Sequence, residues 1–461
     1  MRLRKKVTAG YAAVVLFSVL LSEGTGLSGN VSGCATGEIK DVHESHRDTI
    51  TLTLTEVFSR IEAENRTMKM LRSAHEATEE GVTAAKNARL PDVNAEINGS
   101  YIGDAFLTDR DFSNWMRAKT PHLGNGFTLE AQQIIYAGGA IDASIRIAES
   151  QAEMSAAQID KNRQNLRLLA AGQCVDLFRI ANDIEVYKEN ISLTEKLIGE
   201  ITARREQGLA LANDITRYEL RLESLKLELA RLESTKTTLN FRLCNSLGLP
   251  EGTTIIPVLK TGEKNDRTES YGDWQATAKM FSPEIKMSGI NQELARNQQR
   301  LVKSEMLPQI AIVAHENFNG PITFEIPPID KNINVWYIGL GIRYNLASLY
   351  KSGHKLRQAE ITVRQASQAT EVAQENLRND VQQAFSDYQL AFTELETKKK
   401  SLQLADENYF RIHDRYMEQL VLVTDMIDAF NMKLEAELGV SDSEAEISYK
   451  LCRLKYAAGI L

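Results

Sequence analysis

Two kinds of hydrophobic patterning divide this chain. In "VNAEINGSY" the alternation is strict: Val93, Ala95, Ile97, Gly99 and Tyr101 fall on one face, Asn94, Glu96, Asn98 and Ser100 on the other. Such alternation predicts a β-strand. A later stretch keeps the phase with Ile310, Ile312, Ala314 and Phe318. Two returning stretches set Phe127, Leu129, Ala131 and Ile135 against Thr128, Glu130 and Gln132, and Trp336, Ile338, Leu340, Ile342 and Tyr344 against Tyr337, Gly339, Gly341 and Arg343. Elsewhere the apolar positions step by threes and fours. Ile215, Tyr218, Leu222, Leu225, Leu229 and Leu232, then Leu239 and Leu243 past Lys236, form a heptad seam. Leu220 and Leu227 lie off that seam and predict a second apolar flank. The stretches 140–205 and 355–415 have no proline and are rich in Ala, Gln, Glu and Arg, so they predict helices of roughly 100 Å at about 1.5 Å per residue.

The pattern is written twice. "RREQGLALANDITRY" and "YMEQLVLVTDMIDAF" align at a spacing of 211 residues (425 − 214), so that Leu209 meets Leu420, Leu211 meets Leu422, Asp214 meets Asp425 and, further on, Gly248 meets Gly459. Leu90-Pro91 returns as Leu307-Pro308, and Tyr136 to Gly139 as Tyr350 to Gly353. Each half predicts one order: helix, strand, loop, strand, long helix, turn, long helix. A period this long is a duplication rather than a short-repeat solenoid. The expected division is a leader at 1–33, an amino-terminal tail at 34–50, a first repeat at 51–250, a linker at 251–274 and a second repeat at 275–461.

Arg2, Arg4, Lys5 and Lys6 followed by an apolar run from Ala12 to Leu21 read as a secretory signal, too short to span a bilayer. "VSGC" resembles the box after which a lipoprotein is cleaved and acylated, which would lipidate Cys34; the alternative is an earlier cut and an unmodified Cys34. Loss of residues 1–33 removes four positive charges and one negative, taking the net charge from −8 to −11. An acidic chain argues against nucleic acid as a partner. Cys174, Cys244 and Cys452 have no ligand spacing and read as buried small side chains, with a disulfide left open.

Four alternating strands cannot close a barrel, and open edges in hydrocarbon leave backbone groups unsatisfied. If the strands enter a membrane, several chains must share one barrel; a soluble sandwich would carry the same alternation. The ordered, duplicated motifs above, together with "FSPEIK" at a helix start and the paired turns, resemble the TolC-like outer membrane efflux proteins over nearly the whole chain after the leader. The resemblance implies an internally duplicated α+β membrane protein of a Gram-negative outer membrane. Long α-helical coiled-coil hairpins would form a periplasmic tunnel, and each chain would contribute four β-strands to a trimeric outer-membrane β-barrel. It implies a homotrimeric exit duct that meets a periplasmic membrane-fusion adaptor and, through it, an inner-membrane pump, with no cofactor and no metal. Trp336, Tyr344, Tyr101 and Phe318 are candidates for an aromatic belt against outer membrane lipid.

By the same resemblance the turns are adaptor-docking tips: Gly208, Leu209, Ala210 and Leu211 in the first, and Leu420, Val421 and Leu422 in the second. Gln419 stands where a tip glycine is common, and glutamine accepts a positive φ less readily. Asp425 and Asp428 match an Asp pair that rings the periplasmic entrance, and Tyr416 matches a tyrosine that holds neighbouring hairpins closed. Asp428 has Arg217 as its first-copy equivalent. The alternatives are local: Asp214 and Asp425 as helix caps, Tyr416 as ordinary packing. The seven histidines are scattered and no nucleophile motif or phosphate loop occurs, which argues against an enzyme. His43 and His46 in "DVHESH" read as part of a tail rather than a metal site. The rival to a duct is a periplasmic coiled-coil adaptor or structural protein without a pore, for which one hairpin and no lipid-patterned strands would be expected.

Overall fold

A computed structural model describes residues 49–259, 270–325 and 327–461. The signal segment, Cys34 and the middle of the expected linker lie outside the described residues. Those described fall in one compact unit, His46–Leu461.

The two halves repeat an order of elements. The first runs β1 (Thr49–Thr53), α1 (Leu54–Glu64), α2 (Arg66–Asn87), β2 (Asp92–Tyr101), β3 (Ala105–Leu107), β4 (Met116–Ala118), β5 (Leu123–Tyr136), α3 (Ala140–Glu206) and α4 (Ala212–Leu247). The second runs β6 (Thr254–Val258), α5 (Tyr271–Phe281), α6 (Pro283–Ser304), β7 (Gln309–Gly320), β8 (Ile333–Arg343), α7 (Ser348–Lys351), α8 (Gly353–Met417) and α9 (Val423–Ala457). Among the described residues no helix is long and apolar enough to cross a membrane. The short helices opening each half are started by matching chemistry. Thr53 and Glu56 form a capping box on α1, Ser270 and Asp273 one on α5, each closing two free backbone donors.

The strands form an antiparallel sheet in the order β2-β5-β7-β8. Its register sets Ile97, Phe127, Phe318 and Asn334 in one row, then Ala95, Leu129, Glu316 and Trp336, then Val93, Ala131, Ala314 and Ile338. In these rows the face is apolar apart from Glu316 and Asn334, and Glu316 accepts a hydrogen bond from the Asn334 amide (3.5 Å). From Trp336 to Tyr344 this face runs about 27 Å at roughly 3.4 Å per residue, the scale of a barrel's apolar band of about 25 Å. A bulge at Ile134/Tyr136 puts Tyr136, rather than the expected Ile135, opposite Ile310. The bulge's extra residue reverses the alternation beyond it.

Long helices hang from the sheet's other end. Next to it α2, α3, α6 and α8 lie side by side; beyond mid-length the order is α4, α3, α9, α8. The corner from β5 into α3 is tight: Gly138 (φ 63°) lies where a Cβ would come within 2.7 Å of Leu307. At mid-length β1 pairs in parallel with β6, and Leu52, Val57 and Ile61 pack on Cys174 and Leu177 of α3 and on Leu243, Leu247 and Ile255. In the second half Trp274 and Ala278 of α5 pack on Val381 and Tyr388 of α8 and on Ile447 and Leu454 of α9. β1 straddles the boundary expected between tail and first repeat at 50/51, and β6 lies inside the expected linker. Cys174, Cys244 and Cys452 are free, buried thiols; burial pushes Cys174 up to about 12 and Cys452 up to about 11, which keeps both protonated.

Candidate functional site: the paired hairpin tips

Both long hairpins reverse by one piece of backbone chemistry. At the end of α3, Leu209 N–H donates to the Arg204 carbonyl (2.9 Å) and Gly208 N–H to Arg205 (2.9 Å). At the end of α8, Leu420 N–H donates to Arg415 (2.9 Å) and Gln419 N–H to Tyr416 (3.0 Å). Each is a Schellman motif, which needs a left-handed residue at its pivot. Gly208 has φ 76° and Gln419 has φ 62°. Gln419 therefore adopts the turn that its side chain disfavours, at a cost of roughly 1–2 kcal/mol. Its amide partly offsets this by donating to the Leu209 carbonyl of the other tip (3.2 Å).

The shared aspartates cap the outgoing helices. Asp214 Oδ2 accepts from Leu211 N–H (3.3 Å) and Asp425 Oδ2 from Leu422 N–H (3.0 Å). Leucine has no acceptor to reciprocate, so this is half of a capping box, reinforced by the helix dipole. The capping alternative is thus realised in both copies. Asp428, one turn on, is exposed and makes no hydrogen bond or ion pair among the described residues. Leu209, Leu211, Leu420 and Leu422 are exposed around the turns, whereas Ala210 and Val421 are half-buried.

Behind the turns the hairpins share one core. Leu197, Ile201, Ile215, Tyr218 and Leu225 come from the first, and Tyr409, Val423, Met426, Phe430 and Leu434 from the second. Tyr416 lies half-buried at its rim. Burial first, then the Asp214 carboxylate, raises its phenol, against a smaller lowering by Arg204, so Tyr416 stays neutral. Sequence reasoning missed Arg204: its guanidinium donates to the Met417 carbonyl and approaches Met417 Sδ (2.7 Å), capping α8 from the neighbouring hairpin. These partners lie 213 residues apart (417 − 204), and no local spacing announces them. Arg221 over the Phe430 ring and Lys433 over Tyr409, 5.6 and 5.3 Å from the ring centroids, add two cation–π contacts.

Residues 57–249 match the family model for outer membrane efflux proteins. No curated protein sequence matches this one. Among solved structures, the fold is similar to the outer membrane protein VceC from Vibrio cholerae (14% identity, TM-score 0.73, 88% of this chain and 96% of that one). It is similar to the Campylobacter jejuni outer membrane channel CmeC (13%, 0.73, 88% and 85%). The Neisseria gonorrhoeae outer membrane channel MtrE, described in its open state, matches at 16% identity and TM-score 0.69 over 88% and 89%. At such identities the structures speak for the fold alone, long helical hairpins joined to a four-stranded antiparallel sheet. The family is one of channels rather than enzymes, in keeping with the scattered histidines. The outer membrane efflux protein model thus covers residues 57–249, and the likeness to solved outer membrane proteins extends the same fold through both halves of the chain.

Proposed function

We propose that the chain is a passive exit duct working as a homotrimer, each copy lending its sheet to one barrel and its two hairpins to one tunnel. By this reading it resides in the outer membrane of a Gram-negative bacterium, with a large periplasmic portion. The observation that carries the trimer is the pair of unpaired sheet edges. β2 is exposed along its whole length and β8 nearly so, with Ile97 82% and Trp336 70% exposed. In hydrocarbon each unsatisfied backbone group would cost several kcal/mol. Pairing β2 with β8 of the next copy removes both edges, and three copies exceed the roughly eight strands whose interior side chains can fill. The helices support the same rotation: α4 leaves Leu220 and Leu227 exposed at one flank of the row, and α8 leaves Leu404 and Phe410 exposed at the other. The repeated order of elements is read as an internal duplication.

The tips, by this reading, dock a membrane-fusion adaptor and through it an inner-membrane pump, and the cargo is a small molecule, metal or polypeptide. Asp428, unpaired and on the same helical face as Asp425, lines the entrance, where three copies favour cations. Tyr416, between Asp214 and Arg204, ties the second hairpin to the first. Native mass measurement of detergent extracts from an outer-membrane fraction is expected to give a trimer; a monomer would overturn the shared barrel. In planar bilayers Asp428→Arg is expected to weaken or reverse cation preference, and unchanged selectivity would remove Asp428 from the entrance.

A further inference from the structure

The loop between β2 and β5 is itself a built element. Its hairpin, β3 and β4, turns through Phe112 (φ 64°) and Asn114 (φ 54°), both in the left-handed region that residues other than glycine seldom occupy. The turn is pinned from within. Trp115 Nε1 donates to the Phe112 carbonyl (2.9 Å), Asn114 Nδ2 donates to Asp109 Oδ2 (2.6 Å), and Ser113 donates to Asp111 Oδ1 from its N–H (3.0 Å) and its hydroxyl (2.6 Å). What this holds outward is apolar: Phe112 is 77% and Trp115 68% exposed, and Phe106 and Met116 are exposed beside them.

Charge in the loop is sorted as well. Asp104 pairs with Arg117 (2.5 Å) and accepts from Thr120 N–H, while Asp109 and Asp111 are engaged in the turn. Arg110 and Lys119 are exposed and make no ion pair among the described residues. The hairpin thus offers rings and two unpaired cations, with its carboxylates occupied internally. It is also continuous with the apolar sheet face: Tyr101 and Leu123, paired at its root, are exposed on the same face as Ile97.

We propose that this hairpin is a lipid-surface anchor: Phe106, Phe112, Trp115 and Met116 lie in the interface of the outer leaflet beside the barrel, and Arg110 and Lys119 meet the phosphates of its glycolipid. Aromatic rings favour that interface, and exposed cations are drawn to anionic headgroups within a Debye length. The inference rests on the barrel reading above, and two tryptophans separate their failures. Trp336→Phe leaves Trp115 as reporter, and Trp115→Phe leaves Trp336. Trp274, 2% exposed in the helical body, gives both variants a background that quenchers do not reach.

The full-length trimers are reconstituted into vesicles with brominated acyl chains and an anionic phosphoglycolipid. Both reporters are expected to lose emission, and Trp115 to be shielded from aqueous acrylamide. Quenching of Trp336 alone would overturn the anchor while the barrel stands: Trp115 open to acrylamide would place the loop over the pore mouth, and Trp115 shielded would place it against another copy. Loss of neither signal to the brominated chains would overturn the barrel as well. The Arg110→Gln/Lys119→Gln double variant is expected to lose the shielding gained in anionic over zwitterionic vesicles; an unchanged gain would overturn the phosphate contact.

Discussion

Helices α4 and α9 begin alike and continue differently. Both leave a Schellman turn and both are capped by an aspartate, yet α4 buries one seam (Ile215, Tyr218, Leu222, Leu225) while α9 buries a wider arc (Met426, Ala429, Phe430, Leu434). The cause is position in the row. Along its length α4 packs on α3, with α1 and β6 touching it besides, whereas α9 lies between α8 and α3. At the repeat spacing Tyr218 meets Ala429 and exposed Glu219 meets Phe430, so the large ring has moved by one residue to fill the shared core. The chemistry that reverses the chain is kept in both copies; the buried face follows the number of neighbours.

The comparison breaks most visibly at the large ring. Phe430→Ala is expected to cost about 3–5 kcal/mol, read by chemical unfolding and by faster amide exchange in both hairpins, because Phe430 is 1% exposed. Glu219→Ala should stay within about 0.5 kcal/mol. Equal losses would mean that edge and centre of the row do not differ. Next come the pivots. Gly208→Ala forces a Cβ into a left-handed turn, at about 1–2 kcal/mol. Gln419→Gly relieves such strain and loses a cross-tip hydrogen bond worth about 0.5–1.5 kcal/mol, so it should be near neutral. A similar destabilisation by both, in tip amide exchange, would show that Gln419 is not strained.

The caps come third. Asp214→Ala and Asp425→Ala should each cost about 0.3–1 kcal/mol, seen as faster exchange at Leu211 and Leu422. A loss at only one would contradict their shared geometry. A separate, pH-dependent effect concerns Asp183 on α3, whose carboxyl is pushed up to about 6 by burial and then by Asp442, against the lowering from Arg179 and Ser441. The folded chain holds this proton to about pH 6 and the unfolded chain releases it near 3.8. Folding therefore loses stability as pH rises through that window and does not regain it above. Asp183→Asn should raise the melting temperature near neutral pH and leave it unchanged in acid below the window; the reverse pattern would refute the assignment.

Much of this was legible because long regular elements write long patterns. Ten alternating positions from Asp92 to Tyr101 announce a strand, and a seam from Ile215 to Leu243 announces a helix. Short or irregular pieces carry too few periods: β1, β3, β4 and β6 span three to five residues, and the bulge at Ile134/Tyr136 breaks the alternation that Ile135 was expected to continue. At the tips the exposed leucines and the capping aspartates were readable from the matching stretches of sequence. The conformation of Gln419 was not, since residue preference argued against it and the helix-end hydrogen bonds outweighed that preference. The Arg204 contact with Met417 was invisible because it joins parts of the chain that meet only after both hairpins have folded.

The parallel pairing of β1 with β6 sets a schedule. It joins Thr49 to Thr254, 205 residues along (254 − 49). Loop-closure entropy grows only logarithmically, about 0.6 kcal/mol for each doubling of length, so the thermodynamic burden of that span is modest. The burden is time. In a chain delivered amino end first, β1 waits without its partner until the first hairpin has been handed over in full. Closure of the pair marks the moment at which the first repeat is complete, before most of the second has emerged.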